Sequence, residues 1–196
     1  MYGIQWVCTG DTLRTDTTLN EGLIVMIDGY WMLCCEVTQD LFEWYMHYNP
    51  SEVKGTDLPV TNISKADVDS FCHQISISIH QDWRLPTKEE WLFAYHGGMF
   101  SEGYRYSGSN RLEWTAWCSS NSGGMLHNAA QLIPNELKMY DMDGNVAEMV
   151  CDGDTITYMG GSILGNGILR PDVCGFRIVC HQPLWFDKYG TRIFGR

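Results

Sequence analysis

The chain has 196 residues and a formal net charge of −11, with 20 Gly, 8 Trp and 10 Tyr. That length supports one domain with a sizeable core, and the glycine and aromatic content predicts a loop-rich fold filled by large rigid side chains. The acidity is spread along the chain. It argues against a nucleic-acid partner, because phosphate binding needs a basic surface, and it suits bound cations.

No apolar run approaches the ~18 residues of a membrane span, so no membrane insertion is expected. Met1-Tyr2-Gly3-Ile4-Gln5-Trp6 has neither a basic nor an apolar leader region, and no signal peptide is expected. None of the 8 cysteines falls in a Cys-x-x-Cys pair, which disfavours zinc ribbons and thioredoxin-type motifs. Reduced, buried thiols are the expected state. One disulfide, for instance from Cys174 to another strand, stays open.

In chain order, Thr9-Gly10-Asp11 and Asp28-Gly29 are turn signals. Leu23-Ile24-Val25-Met26-Ile27 and Tyr30-Trp31-Met32-Leu33-Cys34-Cys35 predict strands. Thr38 is a good N-cap for a helix that continues through Met46, with Asp40 in its first turn. Leu41, Trp44, Tyr45 and Tyr48 keep helical spacing and are expected in the core. Ser64-Lys65-Ala66-Asp67 starts a second helix as a capping box with Asp for the usual Glu. Val68, Phe71, Cys72, Ile75 and Ile79 share its apolar face. Thr87 and Glu90 cap a third helix carrying Trp91, Ala94 and Tyr95, and Arg84 is expected to pair with Glu90. Residues 97–124 predict long ordered loops, with Trp114-Thr115-Ala116-Trp117-Cys118 as a strand candidate. The strand Cys174-Gly175-Phe176-Arg177-Ile178-Val179-Cys180 closes the domain.

Between these elements lies Tyr140-Asp141-Met142-Asp143-Gly144-Asn145-Val146-Ala147-Glu148, which alternates oxygen donors with turn formers. Hard cations take several oxygens from such a loop, although the spacing is not that of an EF-hand. A turn in which Asp and Asn cap their own backbone fits the same residues.

Several motifs, taken together, resemble the formylglycine-generating enzyme (sulfatase-modifying factor) family over roughly residues 23–180. They run Glu36-Val37-Thr38-Gln39, Pro59-Val60-Thr61-Asn62-Ile63-Ser64, Trp83-Arg84-Leu85-Pro86-Thr87-Lys88-Glu89-Glu90-Trp91 and His96-Gly97-Gly98. Gly103 to Asn110, Pro134-Asn135-Glu136-Leu137, Tyr140 to Met149, Gly160-Gly161-Ser162 and Gly175-Phe176-Arg177 continue them. The resemblance implies an irregular α+β, C-type-lectin-like fold with low regular secondary structure. It would span residues 1–180, leaving 181–196 as a C-terminal tail. It also implies a structural calcium ion, held by side chains at Asp141 and Glu148 and backbone oxygens at Gly144 and Val146. A further family calcium site needs an acid where this chain has Ala130 and is not carried over.

The departure lies downstream. The family's enzymes carry two cysteines after Gly-Gly-Ser that bind copper and attack the substrate thiol. By position these match Gly165 and Arg170, which supply no soft ligand, so neither copper nor any catalytic residue is expected. Cys174 and Cys180 look like packing residues.

The expectation is therefore a pseudoenzyme: a non-catalytic binding or structural module, in a phage virion or in the cytoplasm. Relatives of this fold include the variable ligand-binding proteins of diversity-generating retroelements. Residues 163–173 lack a run of Asn, Tyr or Ser, so a fixed binding loop or assembly surface is expected, with Asn166, Arg170 and Asp172 facing a ligand, for example at a cell surface. Trp185, Phe186, Tyr189, Arg192 and Phe194 in the tail have the aromatic and basic character of interfaces. They are expected to dock on a partner chain or a second copy, unless the tail packs back on its own domain. The alternative is an enzyme of the same family with altered chemistry. His73 and His80, seven apart on the second helix, are the metal candidates for it, though no His-x-x-x-His pair exists.

Overall fold

The computed structural model describes residues 5–8, 23–27, 29–165, 167 and 169–181, with the backbone alone at 5–8 and 23–27. The turn at 9–11, Asn166 and the docking residues Trp185, Phe186, Tyr189, Arg192 and Phe194 lie outside the described residues.

In chain order the elements are β1 (Gln5–Cys8), β2 (Leu23–Ile27), β3 (Tyr30–Leu33), α1 (Gln39–Met46), α2 (Lys65–Ile79), β4 (Trp83–Arg84) and α3 (Lys88–Tyr95). Then come α4 (Leu112–Thr115), β5 (Ala147–Asp152), β6 (Thr155–Met159), β7 (Cys174–Phe176) and β8 (Val179–Cys180). Two small sheets result, ordered β1-β2-β3-β8-β4 and β6-β5-β7. β1 is parallel to β2 and β5 to β7, and the other pairings are antiparallel. This is the irregular α+β architecture expected.

The helices start where the sequence places them. Thr38 Oγ1 accepts from Leu41 N at 3.4 Å. Ser64 with Asp67, and Thr87 with Glu90, form reciprocal capping boxes, which satisfy amide donors left open at a helix start. Arg84 and Glu90 meet at 2.8 Å, as expected.

β3 explains the division of the core. Its side chains alternate between faces, and both faces are buried: Trp31 and Leu33 join one apolar cluster, Tyr30 and Met32 the other. The first cluster gathers α1, α2 and parts of both sheets around Phe42, Phe71 and Phe176, whose rings lie 5.5 to 6.4 Å apart. The second gathers Trp91, Leu137, Met139 and Met142.

Three elements differ from expectation. Trp44 is 59% exposed and Tyr48 40%, whereas Phe42 is fully buried. The inward arc of α1 runs over Leu41, Phe42, Tyr45 and Met46, which leaves Trp44 outside it, and Tyr48 follows the helix end at His47. Residues 114–118 are not a strand: α4 occupies their start, and Trp117 alone bridges Gly144. The closing strand is split between the two sheets. The break falls at Arg177, whose guanidinium turns into the core. Cys34, Cys35, Cys72, Cys118, Cys151, Cys174 and Cys180 are free thiols. No described helix is long and apolar enough to cross a membrane.

Candidate functional site

The loop before β5 is held in a shape few residues tolerate. Asp141, Gly144 and Asn145 have φ of 52°, 76° and 50°, in the left-handed region that costs an ordinary residue about 1–2 kcal/mol. At Gly144 the requirement is also steric, since a Cβ would stand 2.2 Å from the Trp117 carbonyl oxygen. Asn145 pins the surroundings together. Its amide donates to Glu36 Oε1 and to the His127 carbonyl, both at 3.1 Å, and its Oδ1 accepts from His127 N at 3.1 Å. Its backbone N–H donates to Trp117 O at 2.7 Å, and its carbonyl accepts from Ile163 N at 3.1 Å.

Behind the loop stand three buried carboxylates and one buried guanidinium: Glu36 at 0% exposure, Asp141 at 3%, Glu148 at 1% and Arg177 at 0%. Arg177 clasps Glu148 through Nε at 2.5 Å and through Nη2. Its remaining donors reach the carbonyls of Leu33, Cys34 and Tyr140 at 3.0 to 3.3 Å. Trp91 Nε1 adds a bond to Glu148 Oε2 at 2.7 Å.

The other two carboxylates are less well supplied. Asp141 Oδ2 accepts from Ala130 N at 2.6 Å. Asp141 Oδ1 and Glu36 Oε2 are buried with no partner beyond the neighbouring carboxyl, the two groups lying against each other. Burial pushes the Asp141 carboxyl up to about 6, against the pull of the Ala130 amide and Arg177. Burial and the charges of Asp141 and Glu148 push Glu36 well above the carboxylate range.

The four positions expected to hold calcium thus share one loop and strand, but they are not equally free. Glu148 is engaged on both oxygens by Arg177 and Trp91, whereas Asp141 has the Ala130 amide and the Glu36 carboxyl. Oxygen donors are the class a hard cation takes, but Glu148 is already committed to Arg177 and Trp91. Glu36 and Arg177 lie in recognisable motifs, but their meeting depends on chain separations that local spacing does not encode.

The remaining candidates fall elsewhere. Arg170 Nε donates to Asp172 Oδ1 at 3.0 Å on an exposed turn, and Asn62 N donates to Pro171 O at 2.8 Å. Gly165 is open to its surroundings. Cys174 and Cys180 are buried in β7 and β8, and Cys180 Sγ donates to Gln81 Oε1 at 3.6 Å. His73 lines a cavity of about 450 Å³ with Cys72, Trp83, Arg84 and Cys151, while His80 ends α2. No set of three His, Cys, Asp or Glu side chains poised for a metal occurs among the described residues. The sequence did not signal the stack of Trp117 on His127, with ring centroids 3.7 Å apart.

Residues 9–183 match the family model described as the sulfatase-modifying factor enzyme 1-like domain. The chain is similar to the chaperone protein LppX of Paenibacillus barcinonensis, 27% identical over 189 residues, covering 71% of this chain and 68% of that one. Among solved structures it resembles Treponema denticola variable protein 1, with a TM-score of 0.70 and 23% identity over 93% of this chain and 94% of that one. It also resembles CarF, with a TM-score of 0.64, 23% identity and coverage of 79% and 87%. PvdO from Pseudomonas aeruginosa follows at a TM-score of 0.63, 17% identity and coverage of 78% and 80%. These three share the fold.

Proposed function

The chain belongs to the sulfatase-modifying factor enzyme 1-like family, and we propose that it uses this scaffold as a non-catalytic binding or structural module. The observation that carries the reading is the sequence of the segment at residues 162–173. The family resemblance puts the catalytic cysteines at Gly165 and Arg170. Glycine offers no ligand there, and the Arg170 guanidinium is taken by Asp172. The next thiols in the sequence, Cys174 and Cys180, are buried.

What the surroundings of this segment offer instead is surface. Through Asn145 it is tied to the segment at 111–133, where Trp114, Met125 and Ile133 are each more than half exposed and Ile133 N donates to Trp114 O at 3.1 Å. Exposed apolar residues suit docking of another protein chain. In our reading Arg170 and Asp172 give a partner charge to recognise. The partner is another protein, a second copy or a cell-surface ligand, in an assembly such as a phage particle. The tail with Trp185, Phe186, Tyr189, Arg192 and Phe194 strengthens that docking.

The test is direct. Purified protein, supplied with copper and oxygen, is incubated with a Cys-x-Pro-x-Arg peptide and followed by mass spectrometry. The peptide thiol is expected to persist, and conversion to formylglycine would overturn the reading in favour of an enzyme. Light scattering on a variant ending at His181 tests the tail, whose loss is expected to reduce assembly.

A further inference from the structure

A cavity of about 450 Å³ opens where α2, β4 and β5 meet, a size that suits a small molecule. Cys151 lines it. Alternation along β5 puts Cys151 on the face of Met149, against the cluster that holds Cys72. Among the described side chains Cys151 is the one free thiol that is not buried. Trp83 lines the same cavity, is 3% exposed, and its indole N–H has no acceptor among the described residues. A buried donor left unpaired is costly, and a ligand oxygen would relieve it. The walls carry both signs of charge. Lys65 pairs with Asp69, Asp82 is exposed, and Arg84 gives three of its five N–H groups to Glu90 and Leu85. The Arg84 guanidinium feels the charges of both Cys151 and Asp82. A partly exposed thiol beside a cation is the setting in which cysteines react.

We propose that this cavity takes a low-molecular-weight amino-acid thiol as a mixed disulfide on Cys151. The ligand's carboxylate accepts from Arg84 and from the Trp83 indole, and its ammonium faces Asp82. The donor is the disulfide of that small thiol. The Cys151 thiol loses its proton to solvent, and the thiolate attacks one sulfur of the disulfide. A new S–S bond forms on Cys151 as the old one breaks, and the second half leaves as a thiolate that takes up a proton. The small disulfide is itself the oxidant. Cys72 lines the cavity too, but burial pushes its thiol up to about 12. It stays neutral, and a neutral thiol does not displace the adduct.

Reduced full-length protein, freed of reductant, is incubated with cystine or with cystamine, which lacks the carboxylate. Intact mass and peptide mapping follow the adduct, and each rate at Cys151 is divided by the rate in the urea-unfolded chain. The cystine ratio is expected to exceed the cystamine ratio at least about fivefold, the worth of one added hydrogen bond. Cys151→Ser is expected to lose the adduct. Trp83→Phe keeps an aromatic ring but removes the N–H, and it is expected to narrow the gap between the two disulfides. Equal ratios in the wild type overturn the proposal, as does an adduct that maps to another thiol in place of Cys151. Loss of two hydrogens with Cys151 joined to Cys72 overturns it too, since the cavity would then close on its own thiols. These wild-type outcomes decide the matter even if a variant does not fold. An unchanged gap in folded Trp83→Phe overturns the part given to the indole.

Discussion

Arg177 and Glu148 form a fully buried pair in which every guanidinium N–H has an acceptor: two go to the carboxylate and the others to the carbonyls of Leu33, Cys34 and Tyr140. The pair joins the break between β7 and β8 to the start of β5. Such a pair is costly to break from one side, because the survivor is left as a lone buried charge. Arg177→Met is expected to destabilise the fold by about 3–5 kcal/mol in urea unfolding. Adding Glu148→Gln to it removes the orphaned charge, so the double variant is expected to be more stable than Arg177→Met alone. A double variant less stable than the single one would show that Glu148 is held chiefly by Trp91.

Gly144 and Gly153 separate backbone strain from steric conflict. Both have positive φ, 76° and 59°, but a Cβ at Gly144 meets the Trp117 carbonyl at 2.2 Å, while one at Gly153 meets nothing within 4 Å. Gly153→Ala is expected to cost about 1–2 kcal/mol, the strain alone. Gly144→Ala adds overpacking of about 1–3 kcal/mol and displaces the Trp117 strand bridge. Equal losses of Tm in the two variants would mean that the loop moves aside freely.

The helix starts were legible in the sequence because an N-cap is local. Thr38, Ser64 and Thr87 each lie three residues before the amide they bind, and nothing distant overrides them. The loop of the charge centre was legible too, from its turn formers and oxygen donors. Its wiring was not. Glu36 meets Asn145 across 109 positions and Arg177 meets Glu148 across 29, and no periodicity records such contacts. The split of the closing strand has the same origin: Cys174 to Cys180 reads as one apolar run, and only the inward turn of Arg177 divides it.

The misplaced helix face gives a prediction of its own. Phe71 is fully buried and packs on both Phe42 and Phe176, so Phe71→Ala is expected to cost about 3–5 kcal/mol. Trp44, larger but 59% exposed, contributes little burial, and Trp44→Ser is expected to change stability by about 0.5 kcal/mol or less. Denaturant midpoints measure both. A large loss at Trp44 would mean that its ring is covered in solution, most simply by a partner chain.

Tyr48 and Asp67 form a bond that acid and alkali break from opposite ends. The Tyr48 hydroxyl donates to Asp67 Oδ1 at 2.6 Å and ties the segment after α1 to the first turn of α2. The Asp67 carboxyl is lowered by the Ser64 hydroxyl, then by Tyr48 and the Ser64 amide. A depressed carboxyl contributes stability that is present above its unfolded value, about 3.9, and lost as pH falls through the lower folded value. Burial, followed by the bond to Asp67, pushes Tyr48 up to about 12. A raised phenol contributes stability that is present below its unfolded value, about 10, and lost as pH rises through about 12. Tyr48→Phe is therefore expected to remove the alkaline loss and shrink the acid one, and Asp67→Asn to remove the acid loss and shrink the alkaline one. Because the pair is largely exposed, its energy is small and falls with salt. Stability of the three proteins is measured by urea unfolding across pH at low salt. Unchanged pH profiles in both variants would show that the bond does not persist in solution.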